Sequence, residues 1–238
     1  MAFYNGMFVT IGNKLPFKLN RVIEGLPVIV LARLEAFNQM FSVKDRIAAS
    51  MIDAAEREGK IDKETVIMEP TSWKSDIGFA FVCALKEYRL ILTMPETMTL
   101  KRRKLLQTPG AELVLTYGTK GMKGAVEKAE GLAWEYSKSF IPKQFKNSAN
   151  PEIHRLTIAE EIRSDTKGKV DIFVSGVGTG GTLTGAGKVL RPCLSALQIV
   201  VVEPAASSVL YGGNPGPHRR QGIGAGFIPE MLDSSLIN

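Results

Sequence analysis

The apolar positions of this chain follow two alternating rhythms: short continuous runs, and longer stretches at helical spacing. Val28–Ala32 is a continuous apolar run, the pattern of a strand covered on both faces. A turn-like stretch from Ala36 to Phe41 leads into an amphipathic segment that ends near Gly59. There Ile47, Met51, Ile52 and Ala55 share one helical face, and Glu56, Arg57 and Glu58 take the other. The rhythm then repeats. Strands are predicted at Thr65–Glu69, Arg89–Met94, Glu112–Thr116, Val170–Ser175 (buried) and Leu197–Glu203. Helices are predicted at Ile77–Lys86, Leu100–Gln107, Gly121–Tyr136, Glu152–Arg163 and Thr182–Leu190. Strands alternating with helices of this length imply a parallel sheet with helices on both faces, an α/β fold. A more polar patch, Ser137–Pro151, breaks the rhythm and is the candidate crossing between two lobes. Ser235–Asn238 reads as the start of a further strand, which would leave an uncovered sheet edge.

Two local patterns carry chemistry. Ser42-Val43-Lys44-Asp45 reads as a helix start in which Ser42 accepts the Asp45 N–H and the Asp45 carboxylate reaches back. Lys44 then lies in the first turn, where the helix dipole disfavours a cation by ~0.3–1 kcal/mol. A lysine there is either a solvated surface residue or one kept for its amine. Downstream, Gly176-Val177-Gly178-Thr179-Gly180-Gly181 follows a strand and opens a helix, where free N–H groups favour a phosphate. The run fits G-x-G-x-x-G, and Glu203 ends the next strand where a ribose-binding acid belongs, so an NAD-dependent oxidoreductase is one reading. The other is a single phosphate monoester. Dinucleotide folds usually open with the fingerprint, which comes late here, and Gly178–Thr182 forms a compact cup matched by a lysine at another helix start.

Composition removes several classes. The 238 residues suffice for one large domain or two small ones, and 45% apolar with 23% charged residues is ordinary for a globular protein. The net charge of +6 is spread through helical segments. Lys101-Arg102-Arg103-Lys104 is expected on the wet side of a helix, without the interleaved aromatics of a nucleic-acid surface. No apolar run approaches membrane-spanning length, so neither nucleic acid nor membrane is expected as a partner. Cys83 and Cys193 stand in apolar settings without metal-ligand spacing, so no disulfide and no metal site is expected. Met1–Thr10 lacks signal or transit character, which makes the cytoplasm the expected location.

Several longer motifs resemble one family. They are S-V-K-D-R at Ser42–Arg46, E-P-T-S at Glu69–Ser72, L-T-M-P-E-T-M at Leu92–Met98 and G-A-E-L-V-L-T at Gly110–Thr116. N-x-A-N-P-E-I-H at Asn147–His154, V-G-T-G-G-T-L-T-G at Val177–Gly185 and Q-G-I-G-A-G-F-I-P at Gln221–Pro229 complete the set. Together they resemble the cysteine synthases, or O-acetylserine sulfhydrylases, most of all the plant cytosolic form, and run collinear from about Ile11 to the last residue. The resemblance implies a fold type II pyridoxal-phosphate-dependent architecture of two lobes, each with a mainly parallel twisted sheet. Residues 42–142 would form the small substrate lobe, and 1–41 with 143–238 the large cofactor lobe. Lys44 would hold pyridoxal 5′-phosphate covalently, and Gly178, Thr179, Gly180, Gly181 and Thr182 would cradle its phosphate. Thr71, Ser72, Ser75 and Gln144 would bind the substrate carboxylate. The family reaction is O-acetylserine plus sulfide giving cysteine plus acetate, with the cofactor as electron sink and Lys44 as base. A homodimer, and serine acetyltransferase meeting the basic loop around His218, are the implied partners.

The chain also departs from the family. Its carboxylate loop reads Thr71-Ser72-Trp73-Lys74-Ser75-Asp76 where the family has T-S-G-N-T-G. Trp73 replaces a glycine whose backbone closes on the carboxylate. Lys74 replaces the asparagine that meets the cofactor's phenolic oxygen, and Asp76 adds a negative charge near an anion site. Two lost hydrogen bonds to a charged group at ~1.5–3 kcal/mol each imply roughly 10²–10⁴ in transition-state binding. Gln39-Met40-Phe41 replace a proline and small residues, Lys14-Leu15-Pro16 alters the opening segment, and Asn214 stands where a lysine is usual. The family's C-terminal quarter, with its G-I-S-S-G-A segment, is not in the sequence, so the large lobe is expected to be incomplete. These departures predict an impaired or inactive enzyme. They leave a non-catalytic protein that binds serine acetyltransferase or a full-length relative as the alternative, and cyanoalanine synthase as an unseparated neighbour.

Overall fold

In the computed structural model, which describes residues 4, 6–70 and 75–238, the alternating pattern folds into three sheets. The central one is parallel, in the order β5-β4-β3-β6: β3 (Val66–Pro70), β4 (Leu90–Pro95), β5 (Glu112–Thr116) and β6 (Ser139–Phe140). Side chains alternate across it, as the two-residue repeat of a strand requires. Ile67, Leu90, Leu92 and Met94 face α1 (Lys44–Arg57) and α2 (Ser75–Leu85), packing with Ile47, Met51, Ile52, Phe79 and Val82. Val66, Met68 and Ile91 face Leu132 of the long helix Gly121–Glu135 on the other side. Helices on both faces are therefore observed, and β6 comes from inside the polar patch.

A helix at Leu100–Gln107, labelled α3, precedes β5, and the Gly121–Glu135 helix is α4. Only Lys101 and Lys104 of the basic run are exposed, which corrects the wet-face expectation. Arg102 reaches the buried Asp76 at 3.0 Å and Arg103 donates to the Met98 carbonyl at 3.1 Å.

The second parallel unit pairs β7 (Ile172–Gly176) with β8 (Gln198–Val202). The segment before it forms α5 (Ala149–Ile153), a π-helical turn at His154–Ile158 and α6 (Ala159–Asp165). After the glycine run comes α7 (Gly181–Cys193), whose Leu183, Ala186 and Leu190 pack on Ile199 and Val201. β7 was expected to be covered on both faces, yet Ile172 and Val174 are 54% and 56% exposed. Its apolar run reflects one packed face and one open face.

The first run, Val28–Ala32, is corrected in the same way. Only Leu31–Arg33 is a strand (β2), paired antiparallel with β1 (Pro16–Lys18) in a two-stranded sheet, and Val28, Ile29 and Val30 are exposed ahead of it. Ser235–Asn238 is not a strand either. A 3₁₀ turn spans Ser234–Leu236, and Asn238 alone begins edge pairing, its N–H donating to the Ile199 carbonyl at 3.1 Å. Cys83 is buried as expected; Cys193 is exposed. Among the described residues no helix is long and apolar enough to cross a membrane, and no group of side chains suits a metal ion.

Candidate active site

Lys44 is the first residue of α1, as the sequence predicts, but the cap differs in detail. Phe41 adopts φ +58°, and that reversal moves the Ser42 hydroxyl onto the Lys44 N–H (3.2 Å) rather than that of Asp45. The Asp45 carboxylate accepts from Met40 N–H at 2.7 Å, closing the turn ahead of the helix. Gly78 of α2 packs onto this first turn: a Cβ there would stand 3.0 Å from the Lys44 carbonyl oxygen. Part of Lys44 remains open to solvent, while its amine is surrounded by protein. That burial lowers its pKa from the ordinary 10.5 to about 8. Desolvation penalises the charged form, and among the described residues no carboxylate opposes it.

The glycine run lies opposite. A Cβ built on Gly178 would be 4.0 Å from Lys44 Nζ, so amine and cup share one space. The same Cβ would run into the Gly222 carbonyl, and Gly224 N–H donates to the Val177 carbonyl at 2.9 Å. The Gln221–Phe227 motif thus lies on the first glycines of the cup. Gly180 takes φ +84° and caps α7 without a side-chain hydrogen bond, and the Gly181 N–H that opens the helix approaches Thr179 Oγ1 at 3.5 Å. A buried amine at one end and a helix N-terminus with Thr179 and Thr182 hydroxyls at the other form a donor set for an aldehyde carrying a phosphate. The residues fit pyridoxal phosphate, and the cup has no space for a side chain at Gly178.

Between them are groups to which the sequence assigned no role. Asn150 is fully buried and donates from Nδ2 to the Gln144 carbonyl (2.8 Å) and to Thr179 Oγ1 (3.0 Å). His154, on the π-helical turn, sits 3.3 Å from Thr182 Oγ1. Burial, followed by the charges of Lys44 and Arg46, holds its pKa down to about 3, so the imidazole is neutral. Ser75 Oγ donates to Gln144 Oε1 at 2.8 Å, and Gln144 Nε2 donates to Glu69 Oε1 at 3.2 Å. Burial pushes the Glu69 carboxyl up to about 8 against the Gln144 hydrogen bond, with Asp76 adding to the rise. At neutral pH Glu69 is mostly a carboxylic acid.

Ser75 and Gln144, expected together, are in contact. Thr71, Ser72, Trp73 and Lys74 lie outside the described residues. Asp76 was expected to set a charge against the anion site. It is buried in an ion pair with Arg102 and near enough to Glu69 to raise the pKa of that carboxyl. Glu203 was the ribose acid of the dinucleotide reading. Its carboxylate is occupied by the N–H groups of Leu210 and Tyr211, each at 3.1 Å, and it serves as a turn acceptor.

The comparisons with known proteins agree with this arrangement. Residues 10–238 match the family described as pyridoxal-phosphate dependent enzyme. A cysteine synthase of Staphylococcus aureus (strain Mu50 / ATCC 700699) is 52% identical over 227 residues, covering 95% of this chain and 73% of that protein. A hydrogen sulfide-producing enzyme of Fusobacterium nucleatum superposes over 100% of this chain and 78% of its own, with TM-score 0.95 and 43% identity. A cysteine synthase of Entamoeba histolytica gives TM-score 0.95 and 38% identity over 100% of this chain and 71% of its own. The NAD reading of the glycine run is thereby set aside. With its buried lysine facing a phosphate cup, the chain belongs to the cysteine synthase family of pyridoxal-phosphate dependent enzymes, fold type II.

Proposed function

We propose that this chain carries the cysteine synthase chemistry, β-replacement of O-acetylserine by sulfide giving cysteine and acetate, impaired relative to the family by Trp73 and Lys74 in its carboxylate loop. The observation that carries the reading is the buried Lys44 amine beside the cup, 4.0 Å from where a Cβ on Gly178 would stand, with no carboxylate opposing its burial among the described residues. When bound, pyridoxal phosphate supplies an electron sink for charge that develops at the substrate Cα. Lys44 would hold it covalently and Gly178–Thr182 would hold its phosphate. The free Lys44 amine would be the base for the Cα proton. A pKa of about 8 leaves roughly a tenth of such amines unprotonated at neutral pH, against fewer than about one in a thousand for an ordinary lysine. The second N–H of Gln144, oriented by Ser75 and Glu69, addresses the substrate carboxylate, with Thr71 and Ser72 as further donors and Lys74 toward the cofactor's phenolic oxygen.

The lobes proposed for this reaction are 42–142 for the substrate and 1–41 with 143–238 for the cofactor. A cytoplasmic location, a homodimer, and serine acetyltransferase at the loop carrying exposed Arg219 and Arg220 belong to the same proposal. Purified protein mixed with pyridoxal phosphate is expected to gain visible absorbance that Lys44→Ala abolishes, and to turn O-acetylserine over to cysteine and acetate continuously only with sulfide. Absorbance without sulfide-dependent acetate release would reduce the reading to a cofactor-binding relative. No absorbance would overturn it.

A further inference from the structure

Asn150 joins the substrate side of the site to the cup, and its chemistry decides where a neighbouring hydroxyl points. The side chain is fully buried. Its Nδ2 is 2.8 Å from the Gln144 carbonyl oxygen, a group that can only accept. The amide therefore cannot be flipped: the nitrogen must face Gln144. The other Nδ2 hydrogen goes to Thr179 Oγ1 at 3.0 Å, and Gly181 N–H approaches the same oxygen at 3.5 Å. Two donors, the second at the limit of hydrogen-bond distance, take the acceptor side of that hydroxyl, so its own proton is directed elsewhere. Asn150 Oδ1 lies against Gly181, where a Cβ would overlap it.

We propose that Asn150 is a positioning residue of the cup: by holding Thr179 Oγ1 as an acceptor, it reserves the Thr179 hydroxyl proton for the cofactor's phosphate. The inference rests on the pyridoxal phosphate reading and adds to it a residue that need not touch the cofactor. It predicts an effect confined to the phosphate end of the ligand.

The test compares affinities for pyridoxal phosphate and for pyridoxal, which lacks the phosphate, by absorbance of the protein-bound aldehyde. Asn150→Leu and Thr179→Val are each expected to weaken pyridoxal phosphate roughly ten- to hundredfold, the range for one hydrogen bond to a charged group. Pyridoxal binding should change less than about twofold, well under the effect of one lost hydrogen bond. The double variant is expected to lose no more than the worse single one, because both remove the same proton from the phosphate. The ³¹P resonance of the bound cofactor should shift alike in all three. Multiplying losses, or equal losses for both ligands, would overturn the proposal while leaving the function reading intact. An unaltered chain that binds neither ligand would instead overturn the function reading. Where Asn150→Leu does not fold, Thr179→Ser against Thr179→Val decides: Ser keeps the preference for the phosphorylated ligand and Val loses it, and a Val variant that keeps it defeats the proposal.

Discussion

At the scale of single residues, the site is governed by the cost of burying charge. Lys44 has its pKa lowered to about 8 by desolvation, so its amine becomes nucleophilic well below the ordinary lysine range. The rate of cofactor loading is expected to rise with pH and level off about a midpoint near 8, measured by the growth of visible absorbance. A midpoint near 10.5 would show that the amine is solvated in solution. Glu69 moves the other way in pKa but likewise toward its neutral form, from 4.5 to about 8, so between those values the native state binds a proton that the unfolded chain lacks. Its contribution to stability is complete below pH 4.5 and is lost as pH rises through 8. The gap in unfolding free energy between the parent and Glu69→Gln is therefore expected to shift in favour of the variant as pH rises from 5 to 8, read by urea denaturation at several pH values.

At the scale of elements, the cup is held by the crossing of α7 against the helix that carries Asn150 and His154. The contact is close because Gly185 faces backbone: a Cβ there would overlap the Pro151 carbonyl and press on Arg155 N. Neither can move without displacing the π-helical turn, so Gly185→Ala is expected to destabilise the chain by ~1–3 kcal/mol, measured by denaturant midpoint, and to weaken cofactor binding with it. The elements themselves were largely visible in the sequence, and Leu100–Gln107 and Glu112–Thr116 fall where the pattern puts them. Val28–Ala32 and Val170–Ser175 misled because an apolar run reports attraction to a core, not how many faces meet one. The lysine and the glycine cup were legible as motifs. Their approach was implied only by the family resemblance, and Asn150, whose bond to Thr179 spans 29 positions, and Glu69, bonded to Gln144 across 75, were not legible at all. The repeated Asn in N-x-A-N-P was the available signal, but local pattern cannot say which distant hydroxyl an amide will meet.

At the scale of the whole molecule, the N-terminal segment is fastened to the second parallel unit by buried charge, and α1 lies between them. Arg46 is 1% exposed and bridges Glu35 and Glu161, each at 2.7 Å. Arg33 of β2 meets Glu161 at 2.9 Å and Asp165 at 2.8 Å. Glu161, on α6, has its pKa lowered: burial raises it, but the Arg46 hydrogen bond and charge outweigh that rise. A buried pair of this kind adds little over an apolar substitute, yet breaking it from one side leaves uncompensated charge in the interior. Arg46→Met removes the guanidinium that separates two carboxylates and is expected to cost ~3–5 kcal/mol, seen as a lowered urea midpoint at unchanged slope. Lys138→Ala, at an exposed pairing with Asp62 and Glu64, should leave the midpoint nearly unmoved. Because Arg46 lies two residues after Lys44 on α1, the same substitution should also weaken cofactor binding, while a double variant that removes Glu35 as well should recover part of both losses. If Arg46→Met lowered stability and left the cofactor affinity untouched, the fastening of α1 and the placement of the Lys44 amine would be independent.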